Sequence, residues 1–283
     1  MRAWHLTWSS VGRHPLAPDE VSRRQIVGAI AKVAGGEVAL FCVVDDHVHV
    51  VLWCDEKRRG TLSAGLTLAV RTLCKVEVEA PFVRTVRDRA HLEWLADVYI
   101  LRQPWKHGLD AHPALWTGSC FADLAGARLI PGLELCIGSA LPRWRHRRAY
   151  NAVFLPEVEL IPVSEERIRA FGATRLASAA ANAVGADVGL AGNAAAVVLA
   201  RRATARLAKS AGIPNSEVAH SLGLHPVAAA RLRNREVDEP VLRAVRMRLA
   251  LEDAAAAHPP PPWTGEVREP EGPEYVPGGR GAT

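Results

Sequence analysis

The sequence predicts an α+β fold, an antiparallel sheet with helices packed on it, followed by an all-helical domain. Three observations predict it. Two apolar, β-branched runs, "EVALFCVV" and "HVHVVLWC", are separated only by Asp45-Asp46, the spacing of a tight hairpin, so the central strands run antiparallel. Strand-like and helix-like periodicities alternate through the first half in the order β-α-β-β-α-β-α, and a hairpin at the centre fits mixed layers better than a doubly wound sheet. From residue 164 to Asp253 the chain is rich in alanine and arginine and reads as helix throughout.

Each element has its own signal. "AWHLTWSS" is β-rich, and Pro15, Pro18 and Asp19 end it. "DEVSRRQIVGAIAKVAGG" has helical apolar spacing, an acidic first turn and Gly35-Gly36 at its close. After the hairpin and "EKRRG" comes a second helical pattern, "TLSAGLTLAVRTLCKVEVE", running toward Pro81. "PFVRTVRD" is a short strand. "AHLEWLADVYILRQ" carries Leu92, Leu95, Val98 and Tyr99 at helical spacing and is expected to stop at Pro104. The pattern weakens from Leu129 to Pro162, where prolines and glycines surround "RWRHRR", so 136–163 reads as a linker between a first domain over 1–135 and a helical domain over 164–253. The Pro/Gly-rich remainder, 254–283, is expected to be disordered.

Composition narrows the function. Lys+Arg exceeds Asp+Glu, 35 to 30, and the pI is about 9.2, a modest positive field that favours polyanions such as nucleic acid. Five cysteines without CxxC spacing argue against a disulfide framework and a structural zinc site, and point to a reducing compartment. No run has the length of a membrane span and "MRAWHLTWSS" lacks a signal-peptide core, so a cytoplasmic protein with no membrane partner is expected.

The chemistry centres on His47 and His49. Side chains at i and i+2 of a strand share a face, so the two imidazoles project together and can share a divalent metal. Alone, the pair suits a solvated strand face equally well. Tyr99 and Gln103 lie four residues apart on one helical face, where a Gln oxygen suits Mg2+ or Mn2+ and the tyrosine hydroxyl lies near that ion. Alone, Tyr99 reads as an amphipathic core residue. Tyr150 falls in the expected linker and Tyr275 in the tail.

"DDHVHVVL", followed some fifty residues later by "YILRQPWKHGL", resembles the HUH-type single-tyrosine transposases, particularly the REP-associated tyrosine transposases. "WTGSCFADLAG" at 116–126 is similar to the segment that follows the tyrosine helix in that family. The resemblance covers roughly 1–135 and implies a ferredoxin-like HUH catalytic domain. His47, His49 and Gln103 are implied as ligands of Mg2+ or Mn2+, and Tyr99 as the nucleophile that cleaves single-stranded DNA, hairpin- or repeat-bearing, through a 5′-phosphotyrosine. Such a protein acts as a monomer or homodimer.

In the helical half, "NSEVAHSLG", a turn at Gly223-Leu224-His225 and "PVAAARLRN" fit a helix-turn-helix, with Asn215 or Ser216 capping the first helix. The segment is similar to the C-terminal DNA-binding region of the replication initiator DnaA. That similarity implies that Arg231, Arg233 and Arg235 reach phosphates or base edges from the second helix; the other reading is a solvated face of a helical bundle. Arg143 and Arg145, interleaved with Trp144 and His146, suit either a solvated linker or a single strand held by charge and base stacking. The competing function is a catalytically inactive, regulatory DNA-binding protein descended from such an enzyme. A small-molecule HxH metallohydrolase lacks further ligands at plausible positions.

Overall fold

The computed structural model describes residues 1–109, 111–144, 146–154 and 158–260. The strands β1 (Arg2–Ser9), β2 (Val38–Val43), β3 (His47–Cys54) and β4 (Phe82–Thr85) form one antiparallel sheet in the order β2-β3-β1-β4. Helix α1 (Glu20–Ala34) links β1 to β2, and α2 (Glu56–Leu73) links β3 to β4, so two split β-α-β units interleave. The α+β class and the hairpin expected from the sequence are both present. Val44 N–H donates to the His47 carbonyl across Asp45-Asp46 at 3.0 Å.

Local chemistry sets the helix starts. Asp19 accepts from Ser22 N–H at 2.7 Å and Ser22 Oγ accepts from Asp19 N–H at 3.3 Å, a reciprocal cap at the head of α1. Asp55 accepts from Arg58 N–H at 2.8 Å, so α2 begins at Glu56 and "EKRRG" forms its first turn rather than a lead-in. The third expected helix is divided into α3 (Arg89–Trp94), a π-helical turn over Leu95–Ile100 and α4 (Gln103–Lys106). Pro104 does not stop it: the proline is the second residue of α4, where no intrahelical N–H bond is lost.

The sheet sorts its two faces by alternation. In β1 the apolar Trp4, Leu6 and Trp8 alternate with His5, Thr7 and Ser9; in β3, Val48, Val50 and Leu52 alternate with His47, His49 and Val51. Trp8 Nε1 donates to Thr67 Oγ1 of α2 at 2.9 Å, so α2 covers the apolar set. The histidines point the opposite way, toward Tyr99.

The segment after α4 braces the outer edge of the hairpin. Trp116 Nε1 donates to the Val43 carbonyl at 2.7 Å, Val43 N–H to the Gly118 carbonyl at 2.9 Å, and Cys120 N–H to the Phe41 carbonyl at 3.1 Å. Below lie α5 (Phe121–Leu124) and a buried ion pair in which Arg128 holds Asp123 through Nε at 2.9 Å and Nη2 at 2.5 Å. Arg128 also donates to the carbonyls of Thr117 and Ser119, which fixes the brace.

The expected linker over 136–163 is built into the first core instead. It contains α6 (Ile137–Ala140) and α7 (His146–Val153), and Leu141, Trp144, Ala152 and Phe154 are buried with the sheet. Pro142 separates α6 from α7 rather than marking a tether. A second core is formed by α8 (Glu165–Ala183), α9 (Ala195–Ser210), α10 (Asn215–Ser221), α11 (Pro226–Leu232) and α12 (Glu239–Ala257). Helix α12 serves both: Val241, Val245 and Leu249 pack in the second core, Met247, Leu251 and Ala255 in the first. It runs past the expected boundary at Asp253, so 254–257 are helix and not tail; 261–283 lie outside the described residues.

Gly118 allows the brace to approach. A Cβ there would sit 2.2 Å from the Val43 carbonyl oxygen and 2.9 Å from Trp116 Nε1. Gly118→Ala is therefore expected to destabilise the protein by about 1–3 kcal/mol in urea denaturation, the usual cost of overpacking. An unchanged midpoint would contradict the contact.

Candidate metal centre and tyrosine

The register of β1 against β3 assembles the site. Ser9 pairs with His47 and Thr7 with His49, and the rings of His47 and His49 stand edge to face with centroids 4.5 Å apart. His49 Nδ1 lies 3.0 Å from His5 Nε2 and 3.2 Å from Thr7 Oγ1. His47 Nδ1 lies 2.6 Å from Asp46 Oδ1. In each histidine a neighbour engages Nδ1. Among the described residues His49 Nε2 is buried with no hydrogen-bond partner, and so are both Oε1 and Nε2 of Gln103, a residue 1% exposed.

A buried imidazole nitrogen without a partner is costly unless a further group joins it, and so is a buried amide. Nδ1 engaged by a carboxylate or hydroxyl leaves Nε2 as the ligand atom of a metal-binding histidine, and His49, with Nε2 buried, fits a divalent ion. Asp46, His47 and His107 also bring ligand atoms within 4.8 Å of one another. At 2.6 Å, however, Asp46 and His47 Nδ1 are engaged with each other, which makes the carboxylate an orienting partner rather than a second ligand. His107, exposed on the turn after α4, has its ring centroid 4.7 Å from that of His47.

Tyr99 stands over these histidines. Its ring is edge-on to His49 at 5.4 Å and to His5 at 5.9 Å, stacks on Trp94 at 5.0 Å, and carries Lys106 Nζ 5.4 Å from its centroid. The π-helical turn sets this aim, since its wider winding rotates Tyr99 relative to an α-helix of the same length. Beside Tyr99 a pocket of about 260 Å³ is lined by His5, Thr7, Ser9, His49, Glu79, Phe82 and Arg84, giving an approach along the β4 edge. Tyr150 packs instead in the first core, 6.1 Å from Phe121.

Charge at the hairpin turn is already compensated. Asp45 faces Arg23 Nη1 at 3.4 Å, and the Arg23 guanidinium lies 4.1 Å over the Trp116 ring. Burial, reinforced by His5, His47, His107 and Lys106, holds the His49 imidazole well below its ordinary value of 6.5. It therefore stays neutral, the form a ligand needs.

The sequence misses four neighbours. His5 and Thr7 show only as polar residues alternating with tryptophans in β1; Asp46 and His107 adjoin quoted motifs but come close to His47 only through the turn and α4.

The basic candidates fare unevenly. Arg143 is exposed, and Arg145 lies outside the described residues. Trp144 is not a stacking platform: it is buried, with Nε1 donating to Asp97 Oδ1 at 2.8 Å. In the helical half α10, a turn and α11 are present, but neither Asn215 nor Ser216 caps the first helix. Pro214 is its N-cap, and Asn215 Nδ2 donates to the Pro226 carbonyl at 2.9 Å, tying the helices together. Arg231 is exposed on α11. Arg233 is half-buried at the helix end, its Nη2 donating to the Ile213 carbonyl at 2.5 Å, so it is a structural brace rather than a base reader. Arg235 is exposed beyond the helix.

Among the described residues, no helix is long and apolar enough to cross a membrane. Compared with protein-family models, curated proteins and solved structures, the chain matches none.

The depressed His49 value has a thermodynamic consequence. The unfolded chain binds a proton near 6.5 that the folded site resists, so this contribution to stability is complete above that pH and falls as pH descends toward the lower folded value. Urea midpoints of metal-free protein are expected to drop between about pH 7.5 and 5.5, and His49→Gln to drop less. Equal drops would contradict a buried neutral His49.

Proposed function

We propose that the chain is a metal-dependent single-tyrosine DNA strand transferase of the HUH type. The observation that carries the reading is His49 Nε2, buried and unpartnered among the described residues, with the His49 ring packed against those of His47 and Tyr99. His47, His49 and Gln103 would hold Mg2+ or Mn2+, which would polarise a scissile phosphate. The β-α-β-β-α-β order and the β2-β3-β1-β4 sheet support a ferredoxin-like HUH domain.

The chain's own residues supply the rest. Tyr99 Oη attacks phosphorus, forming an O–P bond as the bond to the 3′-oxygen breaks; the phenolic proton leaves to solvent, and the 3′-oxygen takes one up as the free hydroxyl. The link left on the tyrosine is a 5′-phosphotyrosine, so a second 3′-hydroxyl can reverse the step without ATP. Asp46, His5 and Thr7 orient the imidazoles, and Lys106 supplies positive charge beside the ring. The strand enters along the pocket bordered by Phe82 and Arg84. Single-stranded DNA bearing a hairpin or repeat is the proposed substrate, and the cytoplasm, where the five free cysteines stay reduced, the proposed compartment.

Tyr99→Phe keeps the ring and its stack on Trp94 while removing the attacking oxygen. With Mn2+ and labelled hairpin DNA from the flanking sequence, the wild type is expected to give a covalent protein–DNA band on a denaturing gel; the variant should bind the DNA and give none. Equal cleavage by both proteins would point to activated water. Binding by both without any adduct would favour the non-catalytic, regulatory reading.

Helices α10 and α11 would grip DNA as a helix-turn-helix through Arg231 and Arg235. Deleting 164–283 would strip α12 from the first core, so point variants make the cleaner test. Arg231→Ala and Arg235→Ala are each expected to reduce the slope of log K against log salt by about 1 for duplex binding. Unchanged slopes would make this surface a solvated face.

A further inference from the structure

A second cavity lies where the two cores meet, apart from the histidines. It encloses about 190 Å³ between α1, the 117–131 segment, the end of α8, and α12, and three arginines reach its wall: Arg24, Arg128 and Arg248. Two are fully engaged. Arg24 donates to Glu20, to Asn182 Oδ1 and to the Ala186 carbonyl, and Arg128 to Asp123 and two backbone carbonyls.

Arg248 is engaged on one side only. Its side chain is 7% exposed and Nε donates to Glu252 Oε1 at 2.8 Å, but Nη1 and Nη2 have no hydrogen-bond partner among the described residues. Glu252 is shared, its Oε2 standing 3.9 Å from Arg175 Nε, so it only partly neutralises Arg248. Arg248 lines the cavity, which leaves these donors free to receive an acceptor there. The wall around it is largely apolar, with Val27, Ile130, Pro131, Val184 and Ala196.

We infer that this cavity binds a small organic carboxylate, with its two oxygens received side by side by Nη1 and Nη2 of Arg248 and its short aliphatic part lodged among Val27, Ile130 and Val184. The guanidinium fork matches a carboxylate's geometry. A monoanion suits the site better than phosphate: Glu20, Asp123 and Glu252 already accompany the three arginines, and the apolar wall leaves further oxygens unsolvated. The ligand joins α12 to α1 and α8, so its binding stabilises the junction of the cores.

Butyrate is the probe, with butyramide as its neutral isostere, inorganic phosphate as the alternative anion, and sodium chloride matching ionic strength. Butyrate is expected to raise the unfolding temperature of the full-length protein saturably and to bind in calorimetry, and butyramide to do neither. Phosphate and the Arg248→Met variant should each show affinity weaker by about tenfold or more, the loss of a charge-assisted bidentate contact. Should Arg248→Met fail to fold, Ala196→Leu fills the cavity with Arg248 in place and should abolish butyrate binding. Absence of butyrate binding in the wild type, equal binding of butyramide, tighter binding of phosphate, or undiminished binding in either variant overturns the assignment.

Discussion

The pairing register of β1 with β3 is the constraint on which the site depends. Because strand side chains alternate with period two, Thr7 opposite His49 and Ser9 opposite His47 bring His5, Thr7, His47 and His49 onto one face while Trp8 and Val48 take the other. A one-residue slip of β1 would turn His5 and Thr7 toward α2 and put Trp4, Leu6 and Trp8 on the histidine face. The apolar face therefore enforces the position of the polar one: burial of Trp8, Leu6 and Val50 holds the histidines where the Tyr99 segment can cover them.

Around this register the chain adds bracing that no single motif announces. Residues 116–128 lie along the edge of β2, secured by Trp116, the Gly118 contact and the buried Arg128–Asp123 pair. Arg23 ties α1 to the hairpin turn and to the Trp116 ring. Helix α12 then shares its two faces between the cores, so the helical half is joined to the sheet by apolar packing as well as by the hydrogen bonds of Arg24 to Asn182 and of Leu129 N–H to the Ala183 carbonyl.

How much of this was legible in the sequence follows from the range of each interaction. The hairpin, the α1 cap and the shared face of His47 and His49 are local, set by two-residue spacing and by Asp19 with Ser22, and they read directly. Tyr99 and Gln103 could be paired by helical spacing, but the π-helical turn between Trp94 and Leu101 could not, because it depends on how the segment packs over the sheet. His5, Asp46 and His107 join the site through strand pairing and a turn, contacts that no one-dimensional period encodes. The linker reading failed for a related reason. "RWRHRR" is polar by composition, yet Trp144 finds Asp97 and Arg148 pairs with Glu93 and Asp97, partners roughly fifty residues away. Arg233 is likewise consumed by a backbone carbonyl that becomes a neighbour only in the folded chain.

The central claim is that His47 and His49 present their Nε2 atoms to one divalent ion beside Tyr99. Pulsed electron paramagnetic resonance of the full-length protein loaded with Mn2+, with histidine labelled by nitrogen-15, tests it without reference to any DNA substrate. The account predicts hyperfine couplings from two imidazole nitrogens, reduced to one in His47→Ala. A spectrum of hydrated Mn2+ with no nitrogen coupling, or couplings unchanged in that variant, would contradict it.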